Sequence, residues 1–219
     1  MRLLTITKVL LVLILPFLIF LLVADFAAFN DSFYKEKFLE YGVNKKLINP
    51  DSMHQKVMDF IEGKSNDLPN DFNSREQQHL RDVRSVVSAL TIALYALIAL
   101  FIMLLFVSGF TLKINSYITN FIGKVLLAGG LLTIIIAALI FVLIKWDFSA
   151  SFESFHQTFF RAGTYMFDPA REMIVNLYPE QLFMDLGVRI AIWVAGAALL
   201  LALFGKLLLS KSKTIKRRG

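Results

Sequence analysis

The chain has 219 residues, of which 57% are apolar and 18% charged, with a formal charge of +6 and no cysteine. A soluble domain carries about a quarter charged residues, so the composition excludes an ordinary soluble fold. The missing cysteine excludes a disulfide framework, a thiol nucleophile and a thiolate metal site.

The apolar residues fall in long blocks. Val9 to Phe29 is broken only by Pro16 and Asp25, Val86 to Leu112 and Val125 to Ile144 carry no charge, and Ile190 to Leu209 is interrupted only by Lys206. About 20 apolar residues cross a bilayer as a helix, and lipid forces the helix because backbone amides must pair within the segment. The expected fold is all-α and integral to a membrane, a single domain over 1–219 with four transmembrane helices at about 9–29, 86–112, 121–145 and 188–209. The first span reads as an uncleaved signal anchor rather than a signal peptide, being longer than a usual apolar signal core and followed by more spans.

Charge sets the expected orientation. Arg2 and Lys8 precede the first span, Lys113 and Lys124 flank the second connection between helices, and Lys206, Lys211, Lys213, Lys216, Arg217 and Arg218 end the chain, with no Asp or Glu among them. Such stretches belong in the cytoplasm, so both termini are expected inside. The two long polar connections, about 30–85 and 146–187, are then outer interfacial segments. The positive charge thus speaks for topology and contact with anionic membrane lipid, not for nucleic acid.

In the first segment, Asn49-Pro50-Asp51 and Pro69-Asn70-Asp71 are turn signals. Between them a short helix is expected over Asp51–Ile61, capped by Asp51 or Ser52 and ended by Gly63. Ser74-Arg-Glu-Gln77 reads as a capping box that opens a helix running unbroken into the second span. The second segment starts at Trp146, an interfacial anchor. Phe148, Phe152, Phe155, Phe159 and Phe160 then recur at roughly helical spacing, as suits a helix in the headgroup plane. Asp168-Pro169 should break it, with a second amphipathic piece over Ala170–Leu177.

All three histidines lie in these segments, and His79 and His156 fall close to the start of one span and the end of another. Helical spacing puts Arg75, Glu76, Asp82 and Val83 around His79, where a carboxylate would orient the ring and favour its charged form. It puts Phe152, Phe159 and Phe160 around His156, with Glu153 three residues before, which would keep that ring neutral. Two titratable groups pushed apart in this way can serve as acid and base. Each also has the plainer reading of an interfacial side chain, and His54 shows no comparable constellation. Glu76-x-x-His79 and Glu153-x-x-His156, with Asp25 and Asp185, could alternatively build a di-metal carboxylate site. A four-span scaffold without catalytic chemistry is the third possibility. No serine elbow, His-Glu-x-x-His or phosphate loop occurs.

The "HLRDVR" box at the head of the second span, with "FHQTFFRAGTYMFDP" and "LYPEQLF-x-D" between spans three and four, resembles the lipoprotein intramolecular transacylases of Gram-positive bacteria. One position departs from that family, which often has tryptophan near Gly163-Thr-Tyr165, where this chain has Tyr165. The resemblance implies an acyltransferase of the cell membrane, active on its outer face. Its substrate would be a diacylglyceryl lipoprotein, and no cofactor or metal would be needed. The sn-2 acyl chain would move from glycerol to the α-amine of the N-terminal cysteine, giving a lyso-form lipoprotein. It implies His79 and His156 as the catalytic pair; their surroundings in the sequence favour His156 as base and His79 as acid or oxyanion partner, or the reverse. Asp82, Glu153 and Arg84 are expected to support them, and Arg75, Phe160 and Tyr165 to bind substrate.

Overall fold

The computed structural model describes residues 2–112, 116–160 and 163–218. Lys113 and the side chains of Lys213, Lys216, Arg217 and Arg218, counted above toward the basic side, lie outside them. Among the described residues the elements are all helical: α1 (Arg2–Ala28), α2 (Asp31–Glu40), α3 (Val43–Lys46), α4 (Pro50–Ile61), α5 (Ser74–Leu112), α6 (Ser116–Trp146), α7 (Phe148–Phe159), α8 (Ile174–Leu177) and α9 (Glu180–Arg218). Four of them are long and apolar enough to cross a membrane: Arg2–Ala28, Ser74–Leu112, Tyr117–Trp146 and Glu180–Ser212. The chain divides into two compact units, one of Met1–Asp25, Ile92–Val142 and Arg189–Gly219, the other of Phe26–Thr91 and Leu143–Val188.

The first unit packs the apolar parts of the four long helices. Leu11, Ile14 and Leu18 of α1, at helical spacing, meet Leu94 and Leu104 of α5 and Phe121 and Val125 of α6. The adjoining face of α1, Leu15 and Ile19, packs with Ala137, Val194 and Ala198. Lipid gives helices no hydrophobic drive to associate, so close backbone approach and buried hydrogen bonds do the work. Both occur here. Ser108 of α5 donates to Thr7 of α1 at 3.1 Å, and both are buried. Gly130 of α6 stands where a Cβ would lie 2.7 Å from the Ala198 carbonyl oxygen, and Gly205 of α9 where one would lie 2.8 Å from that of Gly123.

The second unit holds both long connections. Residues 31–49, for which the sequence offered no fold, form α2 and α3. Asn30 caps α2, its side chain accepting the Phe33 N–H. Lys37 and Tyr41 both reach the Asp185 carboxylate at 2.6 Å, tying α2 to the start of α9. Helix α4 begins at Pro50 rather than Asp51 and has no side-chain cap. Asn49 precedes it in left-handed backbone (φ 52°), and proline at the first helical position has no N–H that needs a partner. Gly63 does follow its end, at φ 78°.

Helix α5 runs unbroken from the first connection into the apolar stretch, as the sequence indicated, but its cap is one residue earlier. Asn73 Oδ1 accepts the Arg75 and Glu76 N–H groups, and Glu76 returns the bond to the Asn73 N–H at 2.7 Å. Helix α7 ends well before Asp168-Pro169, because Phe160 is already extended (φ −126°, ψ 155°). The piece expected over Ala170–Leu177 is helical only over Ile174–Leu177. Asp168 holds 168–172 as a turn instead: its carboxylate accepts the Ala170 N–H, and its carbonyl accepts those of Arg171 and Glu172.

The Gly130 contact is with backbone, which cannot move aside. Gly130→Ala should cost about 1–3 kcal/mol through overpacking and lower the thermal midpoint in detergent. Gly109→Ala, with nothing within 4 Å of the added Cβ, should leave the midpoint unchanged.

Candidate active site

His79, in the second turn of α5, and His156, near the end of α7, come together in the second unit with ring centroids 6.1 Å apart and planes only 20° from parallel. Phe160 bridges them, 4.9 Å from His79 and 5.4 Å from His156. Phe167 packs edge-on against His79 at 5.4 Å. Phe152 at 4.2 Å and Tyr165 at 5.0 Å flank His156.

The turn before His79 brings the two connections together. Glu76 is 1% exposed, yet its carboxylate is fully engaged: one oxygen accepts the Met173 and Ile174 N–H groups at 2.6 and 2.7 Å, the other the Asn73 N–H. Beside it, the Arg75 guanidinium donates to both oxygens of Glu172 at 2.9 and 2.7 Å and to the Met166 carbonyl at 2.6 Å. Burial alone would raise the Glu172 carboxyl, but the Asp168 N–H and Arg75 outweigh it and hold the group below its usual range. Three bonds to one buried carboxylate and one bidentate pair therefore fix residues 166–174 against the base of α5.

The histidines differ in how they are held. His156 Nδ1 lies 2.8 Å from the Phe152 carbonyl oxygen. That oxygen can only accept, so the bond requires a proton on Nδ1 and leaves the Nε2 lone pair of the neutral ring free. His79 is 7% exposed, and its Nδ1 is buried without a hydrogen-bond partner among the described residues. It lies in the polar first turns of α5, outside the apolar stretch 86–112. Burial there, and the charge His156 would carry, push its imidazole down to about 4; nearby Asp82 opposes this only weakly. The expectation of a charged His79 set by flanking carboxylates is thus reversed. Glu76 points its oxygens at backbone N–H groups, and Asp82 accepts from Gln78 at 3.0 Å rather than from the ring.

The remaining expected site residues divide. Phe160 and Tyr165 stand at the pair. Tyr165 donates to Glu153 at 3.0 Å, and Gln157 donates to the same oxygen, so Glu153 orients the tyrosine beside His156 rather than the imidazole. Arg75 serves the junction described above. Arg84 is directed away from the histidines, to the Ser65 carbonyl and Asn66 side chain, with its guanidinium over the Phe60 ring. The metal arrangement does not assemble: Glu76 and Asp185 are taken by the partners already named, and among the described residues no group of three or more His, Cys, Asp or Glu converges.

Both histidines line a cavity of about 460 Å³ whose wall is overwhelmingly apolar. Phe152, Phe155 and Phe183 line it on one side, and Val83, Val86, Val87 and Leu90 of α5 along another. Among the described residues Glu180 is the one formally charged side chain in the wall, and it accepts from Ser149.

His54, which the sequence sets apart from the other two histidines, lies in the same unit and is enclosed by aromatic rings. It is 2% exposed, packs at a tilt on Tyr34 at 4.1 Å and edge-on against Phe38 at 5.5 Å, and pairs through Nδ1 with the Tyr178 hydroxyl at 2.9 Å. Tyr34 and Tyr178 also line the cavity. Its partners lie up to 124 residues away, beyond any local spacing rule. Burial lowers His54 to about 4, with Asp31 and Asp51 opposing.

A family model described as lipoprotein intramolecular transacylase Lit matches residues 9–183. The in meso structure of the membrane-integral lipoprotein intramolecular transacylase Lit from Bacillus cereus is similar in fold, with a TM-score of 0.85 at 19% identity over 97% of this chain and 99% of that one. A histidine-to-alanine variant of the same Bacillus cereus protein gives 0.78 at 21% identity, over 97% and 96%. No match was found among curated protein sequences.

Glu76→Ala would strand buried N–H groups at about 1–3 kcal/mol each. It should destabilise the protein by at least about 3 kcal/mol in detergent melts and open residues 163–173 to protease, whereas Asp82→Ala should do neither. His54 gives a pH signature. Its folded value lies below its unfolded one, so between about pH 6.5 and 4 the unfolded chain binds more protons and stability falls as pH falls. The loss approaches about 3 kcal/mol at the acid end. His54→Phe should remove that part of the slope in thermal melts across this range.

Proposed function

Because the chain belongs to the lipoprotein intramolecular transacylase family, we propose that His79 and His156 carry its acyl transfer from oxygen to nitrogen within one lipoprotein molecule. The substrate in this reading is a diacylglyceryl lipoprotein with a free N-terminal cysteine. The migrating group is the sn-2 acyl chain, and the product is the lyso form, with one chain left on the glycerol and one on the α-nitrogen.

The observation that carries it is the histidine pair: two rings 6.1 Å apart in an apolar cavity, one with Nδ1 committed to the Phe152 carbonyl. The α-ammonium, near pKa 8, first releases one proton to water. The neutral amine then adds to the ester carbonyl carbon and gives a second proton to His156 Nε2, and the oxyanion that forms takes a hydrogen bond from His79. A neutral His79 suits this role better than that of a preloaded acid. The glycerol C–O bond then breaks, and the glycerol oxygen takes the proton that His156 received. One N–C bond forms, one C–O bond breaks, and one proton passes from nitrogen to oxygen. No enzyme nucleophile is needed, because donor and acceptor share a molecule and the protein's task is to hold them in attack geometry. The apolar cavity keeps water, the competing nucleophile, from the ester.

Glu153 supports His156 through Tyr165, whose ring lies on the imidazole. Arg75, Asp82 and Arg84 act on the walls and the junction rather than on the reacting atoms. Substrate contact falls to Phe160 and Tyr165. The reading also includes topology: a bacterial cytoplasmic membrane, both termini inside, and the cavity opening at headgroup depth on the outer face, in contact with membrane lipid and with no part for nucleic acid.

His79→Ala and His156→Ala should each preserve expression and lower lyso-lipoprotein formation by about 10²–10⁴-fold, the usual range for a lost general base. Mass spectrometry of a lipoprotein N-terminus, in a strain lacking other N-acylation, reads the result. Wild-type levels of product from the double variant would sink the assignment.

A further inference from the structure

The cavity wall contributed by α5 has a regularity that the reaction does not require. Leu80 apart, the α5 residues that line it, His79, Val83, Val86, Val87 and Leu90, stand at offsets of four, seven, eight and eleven residues, which is one continuous helical face. From His79 to Leu90 the helix rises about 16 Å. One turn further on the same face, Leu94 is 7% exposed and packed among Leu11, Leu18 and Phe121. Leu90 itself is 42% exposed and is the last residue of the face to border the space. Valine is held to essentially one rotamer in a helix, so three of the five positions form a wall that does not adapt by side-chain rotation.

We propose that this face of α5 is a ruler for the migrating acyl chain, with Leu90 as its end stop. The inference rests on the transacylase reading above. With the ester carbonyl at the histidine pair, the chain lies along Val83, Val86 and Val87 and its terminal methyl reaches Leu90. Carbon–carbon bonds of ~1.5 Å in an all-trans zigzag advance ~1.25 Å each, so ~16 Å holds about 13 carbons. A chain entering from a bilayer leaves hydrocarbon for hydrocarbon, so hydrophobicity cannot discriminate between lengths. Fit against a rigid wall can. A chain too long for the groove must buckle or keep its carbonyl short of the histidines, and such misplacement lowers the rate steeply.

The test uses the full-length protein with lipoprotein substrates of mixed acyl length, and mass spectrometry of the N-linked chain. Leu90→Trp should lower the yield of long relative to short chains by about tenfold. Val87→Phe, ~4.5 Å nearer the histidines, should move the cut-off down by about four carbons. Leu90→Ala should shift it upward. Ala89→Phe, on an exposed position that does not border the cavity, should keep the wild-type profile. If Leu90→Trp is inactive outright, Leu90→Ala decides, since an unchanged profile there overturns the ruler. An equal shift in Ala89→Phe also overturns it. Wild-type protein that forms no lyso product would overturn the transacylase reading, and the ruler with it; wild-type product with unaltered profiles in every variant overturns the ruler alone.

Discussion

The arrangement of the second unit depends on one buried carboxylate. Glu76 lies almost wholly out of water, where an unpaired charge would be very costly. Its charge is met by backbone N–H groups from its own helix cap and from Met173 and Ile174, about a hundred residues away. A salt bridge could link the same segments, but a long cationic side chain can adjust its reach. Backbone N–H groups cannot, so the bond fixes the register of the second connection against α5. Arg75 and Glu172 reinforce that junction from the adjacent position. His79 follows one turn later on the same helix, and its distance to His156 is set by this register.

The surroundings of the two rings explain why charge sits where it does. Carboxylates close enough to bond either imidazole would stabilise its protonated form and spoil it as a base. The carboxylates that the sequence places near His79 are committed elsewhere, Glu76 to the backbone and Asp82 to Gln78, and Glu172 of the second connection is taken by Arg75. What remains at the rings is Phe152, Phe160, Phe167 and Tyr165. An apolar enclosure of this kind lowers basicity, yet it also strengthens every hydrogen bond made inside it.

Much of the architecture could be read from the sequence, and the failures share a cause. Spans are dictated by a solvent that forbids unpaired backbone, so uncharged blocks of about 20 residues declare themselves. The pairing of His79 with His156 was suggested by position relative to those spans and by a resemblance covering the same stretches. Local rules failed where long-range partners outbid them. The Ser74–Gln77 box gave way to Asn73–Glu76 because only Glu76 also reaches Met173 and Ile174. The α7 boundary moved to Phe159 because Phe160 must turn between the two imidazoles. His54 looked unremarkable because its ring is enclosed by Tyr34 and Phe38 of α2 and by Tyr178 at the end of α8, none of them near it in sequence. In each case the deciding contact joins parts of the chain that no spacing rule connects.

The bond from His156 Nδ1 to the Phe152 carbonyl has a consequence for how such a site can change over time. In many hydrolytic sites a third side chain orients the imidazole, and losing it by mutation disables the base. Here the orienting group belongs to the peptide backbone one turn earlier, and every residue supplies the same oxygen. Substitution at position 152 can alter packing, but it cannot delete the acceptor. The orientation of this imidazole is therefore insulated from drift in its neighbours, and the surrounding aromatic residues are free to diversify, provided the helix that carries them stays a helix.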